Sequence, residues 1–247
     1  MKTYAFINQK GGVGKTTSVL NIGSALSREG KSVLLIDLDP QGSLSKSAGF
    51  TDVRSKDFTV AEALDEGDGL VWTLQRKSGY DVAVADIRLA SLDLSSDPFR
   101  LKKLIEGLRV DYDYVLIDCP PSLSSLSVNA MTACDEVIVP VVPQFLPLDG
   151  IADLLQIIDL TSKRIGRKIR IGGILVTLVN GRRSLDRQVI EALRERFPKE
   201  TFKTVVKNLA RVAEAPTEGE DLFEYDPRGE ATEAYRQVAL EILQRDA

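Results

Sequence analysis

The 247-residue chain has no histidine, two cysteines, two methionines and one tryptophan. Without histidine there is no Ser-His-Asp triad, no imidazole general base and no histidine-ligated metal. Cys119 and Cys134 make neither a CxxC site nor a disulfide framework. No apolar run reaches the ~18 residues that a membrane span requires. The N-terminal MKTYAFINQK reads as the start of a strand and not as a signal peptide, so a cytoplasmic location is expected. There is also no Pro/Gly/Ser linker, internal repeat or low-complexity tract. At ~150 residues per domain the length allows one to two domains. With no linker to divide it, a single domain over 1–247 is expected. Hydrophobic residues make up 43% and charged residues 28%, ordinary for a globular protein with a full core.

The net charge of −4 conceals an asymmetry. Residues 163–211 hold 14 Lys or Arg against 4 Asp or Glu, a local +10, which leaves −14 for the remainder. Such a split can mark a polyanion-binding face, or it can coat the solvent sides of helices.

Unbroken apolar runs at Tyr4 to Asn8, Ser32 to Asp37, Tyr114 to Asp118, Glu136 to Val142 and Ile171 to Val179 suit parallel strands covered on both faces. Helical patterns fill the intervals: Thr16 to Arg28, Pro98 to Leu108, Leu148 to Lys163, Leu185 to Phe197 and Thr232 to Leu243. Thr59 and Glu62 form a T-x-x-E capping box before a further short helix. Residues 50–97 are the least regular. The alternation predicts an α/β fold, a mostly parallel twisted sheet with helices on both faces.

The chemical signal lies at residues 10–17, KGGVGKTT, between a strand and a helix. Gly11, Gly12 and Gly14, with Val13 among them, let the backbone wrap an anion without Cβ clashes. Amide N–H groups and the helix N-terminus then face phosphates. Lys15 can reach the β- and γ-phosphates, the Thr16 hydroxyl can ligate Mg²⁺, and Thr17 can touch an α-phosphate. The loop departs from the plain G-x-x-x-x-G-K-[ST] pattern: Gln9 stands where its first glycine would be, and a second lysine, Lys10, follows.

In this the chain resembles the ParA/MinD family of P-loop ATPases with a deviant Walker A motif, and the resemblance extends over nearly its whole length. It implies ATP and Mg²⁺ as cofactors, and a homodimer in which Lys10 reaches the partner's nucleotide. DLDPQG at 37–42 matches the first switch, so Asp39 is expected to position the attacking water and to lie near the metal. YVLIDCPPS at 114–122 matches the Walker B strand and second switch, so Asp118 is expected to hold Mg²⁺. Cys119 beside it reads as a buried, inert thiol. EAP at 214–216, YDPR at 225–228 and EAY at 233–235 match in spacing. Arg182 and Arg211 match arginines that bind DNA without sequence preference, with Arg183, Lys203 and Lys207 as neighbours. Asn180 and Asn208 complete the implied nucleotide-binding set.

Two departures stand out. Val206, Lys207, Asn208 and Leu209 replace the usual I-P-R-N, which removes a proline near the adenine. Gly229, Glu230 and Ala231 replace S-R-G, which removes a basic residue. The chain opens at its first strand, so the operator-binding helix-turn-helix domain of longer plasmid relatives is not expected.

Three functional classes stay open. The first is a nucleoid-associated partition ATPase that is slow alone and stimulated by a ParB-type or centromere-binding protein. Its cargo would be a plasmid, a chromosome or another body such as a carboxysome. The second is a MinD-like membrane-associated division regulator, which needs a basic amphipathic C-terminal helix. The helix from Thr232 looks core-packed instead, so no membrane partner is expected. The third is a metabolic enzyme or metallocluster carrier, for which the two cysteines are poorly spaced.

Overall fold

Alternate residues of the central strands feed two separate cores. The computed structural model describes residues 1–53, 58–70, 74–77, 79–108, 110–122, 124–143 and 147–246. In chain order the elements are β1 (Lys2–Phe6), α1 (Lys15–Arg28), β2 (Val33–Asp37), α2 (Ser43–Ser47), α3 (Val60–Glu66), β3 (Leu74–Lys77), β4 (Tyr80–Ala83), α4 (Arg100–Glu106), β5 (Tyr114–Asp118), α5 (Ser125–Ala133), β6 (Glu136–Val141), α6 (Pro147–Ile165), β7 (Arg170–Val176), α7 (Ser184–Arg196), α8 (Ala210–Glu214), α9 (Leu222–Tyr225) and α10 (Glu230–Asp246).

The strands form one sheet in the order β3-β4-β2-β5-β1-β6-β7, parallel except for the β3–β4 pair. Ala5, Leu34, Ile36, Val115 and Ile117 point into one core, with side chains of α3 to α7. Tyr4, Phe6, Val33, Leu35 and Leu116 point into the other, with α1, α2 and α8 to α10. Burial on both faces explains why these strands are continuous apolar runs. The helix α1 lies close on the sheet: a Cβ at Gly23 would come within 2.5 Å of Leu35 Cδ2. The capping box at the start of α3 is formed, with Thr59 accepting from the Ala61 N–H and Glu62 reaching back to the Thr59 N–H.

The irregular stretch 50–97, parts of which lie outside the described residues, contains an antiparallel hairpin that alternation does not reveal. The S-G dipeptide at 78–79 is its sequence signal, and Gly79 takes a φ of +91° there. The strand order runs β5, β2, β4 on one side of β1 and β6, β7 on the other. The loop after β1 therefore sits at a topological switch point, where open α/β sheets bind ligands.

Candidate nucleotide site and basic surface

The loop from Asn8 to Gly14 is tied down by side chains that motif matching passes over. Asn8 Nδ2 donates to the Pro140 carbonyl at 2.7 Å, and Asn8 Oδ1 accepts from the Lys10 N–H at 3.0 Å. Thr177, just beyond β7, donates its hydroxyl to the Val13 carbonyl at 2.8 Å, with the Val141 carbonyl 3.1 Å away. Gly12 and Gly14 take φ of +70° and +79°, which L side chains resist. Gly14 is the N-cap of α1 and has no capping side chain, so the first N–H groups of the helix remain available to an anion. The signal for Thr177 was a lone polar residue closing an apolar strand.

Lys15 is 7% exposed and its ammonium lies 3.4 Å from the Lys10 carbonyl, folded across the loop. Burial pulls its pKa below the ordinary lysine value, while the Asp118 and Asp39 carboxylates and the Cys119 thiol pull it back up. A partly desolvated cation held within this loop is suited to a phosphate. Lys10 is exposed at the loop's outer rim. Thr16 donates its hydroxyl to Asp118 Oδ2 at 2.6 Å. Asp118 is 1% exposed, and its Oδ1 has no hydrogen-bond partner. Burial first, then the charge of Asp37, pushes its pKa well above the carboxylate range. An orphaned buried carboxylate oxygen next to a hydroxyl is a donor set that fits Mg²⁺. Cys119 is buried and its thiol pKa is pushed up, as expected of an inert thiol.

Asp37 and Asp39 divide in role. Asp37 is fully buried and accepts from the Asp39 N–H, the Ser45 N–H and the Ser45 hydroxyl at 3.0, 2.8 and 2.8 Å. Burial raises its pKa to about 6 in spite of those bonds. It is the knot that shapes the turn. Asp39 is half-buried, accepts only the Gln41 N–H among the described side-chain hydrogen bonds, and interacts electrostatically with Lys15 and Asp118.

The basic stretch does not form one face. Lys163 and Arg164 end α6, Arg167 donates to the carbonyls of Met131, Thr132 and Cys134, and Arg170 begins β7. These lie at the N-terminal edge of the sheet, away from the nucleotide loop. Arg182, Arg183 and Lys207 are brought to the loop's end of the molecule by a backbone bridge. Val179 and Lys207 pair in parallel, and the Asn208 N–H donates to the Val179 carbonyl at 3.0 Å. Asn180 and Asn208 thus leave adjacent strands of chain. Asn180 Oδ1 accepts from the Arg182 N–H at 3.2 Å, while buried Asp186 accepts from the Asn180 N–H at 2.6 Å. Arg182, Arg183, Lys203, Lys207 and Arg211 are all exposed. Arg211, on α8, pairs with Glu214 at 3.1 Å and lies over the Tyr225 ring at 5.6 Å.

One further contact joins the two regions. Asn21, one turn after Thr17, donates to the Thr17 carbonyl and accepts from the Leu222 N–H, both at 2.8 Å. The nucleotide helix α1 is thereby joined to α9, which carries Tyr225. A buried amide on an apolar helix face was the available signal.

Comparison with known proteins agrees with this geometry. The AAA domain family matches residues 1–171. Sporulation initiation inhibitor protein Soj of Bacillus subtilis is 37% identical over 98% of this chain and 98% of its own length. Chromosome-partitioning ATPase Soj of Thermus thermophilus is 38% identical over 99% of this chain and 96% of its own. Among solved structures, cobyrinic acid a,c-diamide synthase from Mycobacterium smegmatis with bound ATP analog and magnesium superposes with a TM-score of 0.84 at 31% identity. That match covers 99% of this chain and 95% of the other. A phosphate-binding loop at the switch point, near full-length identity to two Soj proteins and the shared nucleotide fold lead to one conclusion: the chain belongs to the ParA/Soj family of chromosome-partitioning P-loop ATPases.

Proposed function

We propose that this ATPase binds Mg²⁺-ATP at 10–17, dimerises through it, and as a dimer binds DNA without sequence preference until a ParB-type or centromere-binding partner stimulates hydrolysis. The observation that carries the reading is the division of labour between two lysines: Lys15 buried within the loop, Lys10 exposed at its rim. Lys15 answers the phosphates of its own subunit. Lys10, exposed at the rim, would serve a subunit facing it, so nucleotide binding and dimerisation become one event. Thr16 and Asp118 would hold the metal ion, which when bound neutralises charge on the β- and γ-phosphates. Asp39 orients the attacking water. No strong base accompanies it, so turnover without a partner is expected to fall below the ~1–100 s⁻¹ of kinases. Asn180 and Asn208 flank the base.

DNA is favoured over a membrane as the surface engaged. Ala231, Tyr235, Val238, Ala239 and Ile242 of α10 are buried, so the apolar face of that helix is spent on the core. Among the described residues no helix is long and apolar enough to cross a membrane. Arg182, Arg183, Lys203, Lys207 and Arg211 would contact phosphates, and a dimer doubles these contacts, so that ATP gates affinity. The test pairs a gel shift on random-sequence duplex with light scattering. Arg182→Ala and Arg211→Ala are expected to lose DNA binding while the ATP-dependent dimer survives. Retention of wild-type DNA affinity by both variants would sink the DNA reading.

A further inference from the structure

Two of the five cations assigned to DNA are already occupied by glutamates. Arg211 Nη1 pairs with Glu214 Oε2 at 3.1 Å, and Tyr225 Oη donates to the same oxygen at 3.0 Å. Lys207 pairs with Glu230. Glu230 opens α10, and Glu214 closes α8, so both acids are fixed by helices on the side of the molecule that carries the cations. Glu214 also accepts the Tyr225 hydroxyl and Glu230 lies in the first turn of α10, where a carboxylate is favoured, yet both present their charge to a cation. Both ion pairs are exposed, and among the described residues Glu230 makes no other side-chain hydrogen bond. By contrast, Arg182 and Arg183 form no ion pair among the described residues.

We infer that Glu214 and Glu230 compete with DNA phosphate for Arg211 and Lys207, and so set how weakly this protein holds DNA. The inference rests on the DNA reading above. A phosphate reaching either cation must displace a carboxylate, and the displaced carboxylate stays nearby as a like charge. The physical consequence has two separable parts. Removing the negative charge, without adding a positive one, raises affinity while leaving the number of phosphates engaged unchanged. Reversing the charge adds a contact. The first leaves the slope of log affinity against log salt as it was, and the second steepens it by about 0.9 per contact. Exposed pairs of this kind are weak, so each neutralisation is expected to tighten binding by about two- to fivefold. The pairing also bears on the sequence: position 230 is where this chain departs from the basic pattern of its family, and the acid there caps a cation instead of merely omitting one.

The experiment measures random-duplex affinity of the ATP-bound dimer across a salt series for wild type, Glu214→Gln, Glu230→Gln, Glu230→Lys and Arg211→Ala. Light scattering on each variant reports dimerisation separately. The expected result is tighter binding at unchanged slope for both glutamine variants and a steeper slope for Glu230→Lys. If Arg211→Ala loses DNA while both glutamine variants bind as wild type, the competition is refuted and the DNA reading stands. If Arg211→Ala and the Arg182→Ala variant above both bind normally, the DNA reading itself fails; if Arg211→Ala alone does, the competition at that cation is refuted. Should Glu214→Gln disturb α8 and the dimer, Glu230→Gln decides alone.

Discussion

Replacing Asp118 by asparagine should make the ligand-free protein more stable and the liganded protein less so. Asp37 and Asp118 are register partners on adjacent parallel strands, and both are buried. Parallel strands lie about 4.8 Å apart. Two carboxylates at that separation repel by ~3 kcal/mol at an effective dielectric of ~20. The amide would keep the bond from the Thr16 hydroxyl but strand a neutral N–H where Oδ1 now stands, which returns ~1–2 kcal/mol of the gain. A net ~1–3 kcal/mol remains, or a rise in melting temperature of about 2–12 °C for a chain of this size. The sign with pH follows from the raised carboxyl pKa values. The Asp37 carboxyl holds its proton up to about pH 6 in the fold, against an ordinary carboxylate value of 3.8. The folded state therefore binds more protons than the unfolded one between those limits, and wild type regains stability as pH falls through 6. The advantage of Asp118→Asn is greatest at pH 8 and fades toward pH 5. Calorimetry without nucleotide and in EDTA measures it. Saturating Mg²⁺-ATP at 100 Kd would add ~2.7 kcal/mol to wild type and much less to the variant. An unchanged or lowered melting temperature at pH 8 without ligand would refute the account of the carboxylate pair.

Lys15→Ala should lose nucleotide affinity, whereas Lys10→Ala should bind nucleotide as a monomer; isothermal titration beside light scattering separates them, and normal turnover by Lys10→Ala would overturn the role in trans. Asp39→Ala should be trapped as a dimer in Mg²⁺-ATP and be mostly monomeric in ADP, read by the same scattering assay. Thr177→Val removes the hydroxyl that fixes the Val13 carbonyl, at a cost of ~1–2 kcal/mol, and should weaken nucleotide binding several-fold without altering the dimer that does form. Thr59→Ala, which breaks the capping box on α3, should cost ~0.5–2 kcal/mol in chemical denaturation and leave ATPase activity unchanged.

The parts of this molecule that were legible from sequence are those in which one residue type answers one physical need. Strands buried on both faces must be continuous runs of apolar residues, and glycines must stand where the loop adopts positive φ. Gly12, Gly14, Lys15 and Asp118 fall in this class. The unread parts are bonds between segments far apart in the chain. Thr177 is only a threonine until β7 is known to lie beside β6, which brings it to the loop after β1. Asn21 is only a polar residue in a helix until α9 is packed on it. The basic stretch misled for a related reason: a charge total along the chain says nothing of which end of β7 each cation reaches, and Arg167 is spent on the carbonyls of α5. The β3–β4 hairpin escaped because its edge strand, LQRK, lacks an apolar run.

The hydrogen bond from Leu222 to Asn21 also orders events during synthesis. It spans 201 residues, and the same helix α1 carries Ser18 within 3.5 Å of the Tyr235 hydroxyl. An earlier helix therefore finds its final partners in segments made about 200 residues later. At ~5–20 residues per second, roughly 10–40 s pass between the two. During that interval Val19, Ile22 and Leu26, buried in the finished molecule, lack the C-terminal part of their cover. The phosphate-binding loop, however early its code appears, acquires a rigid helix behind it only when α9 and α10 arrive.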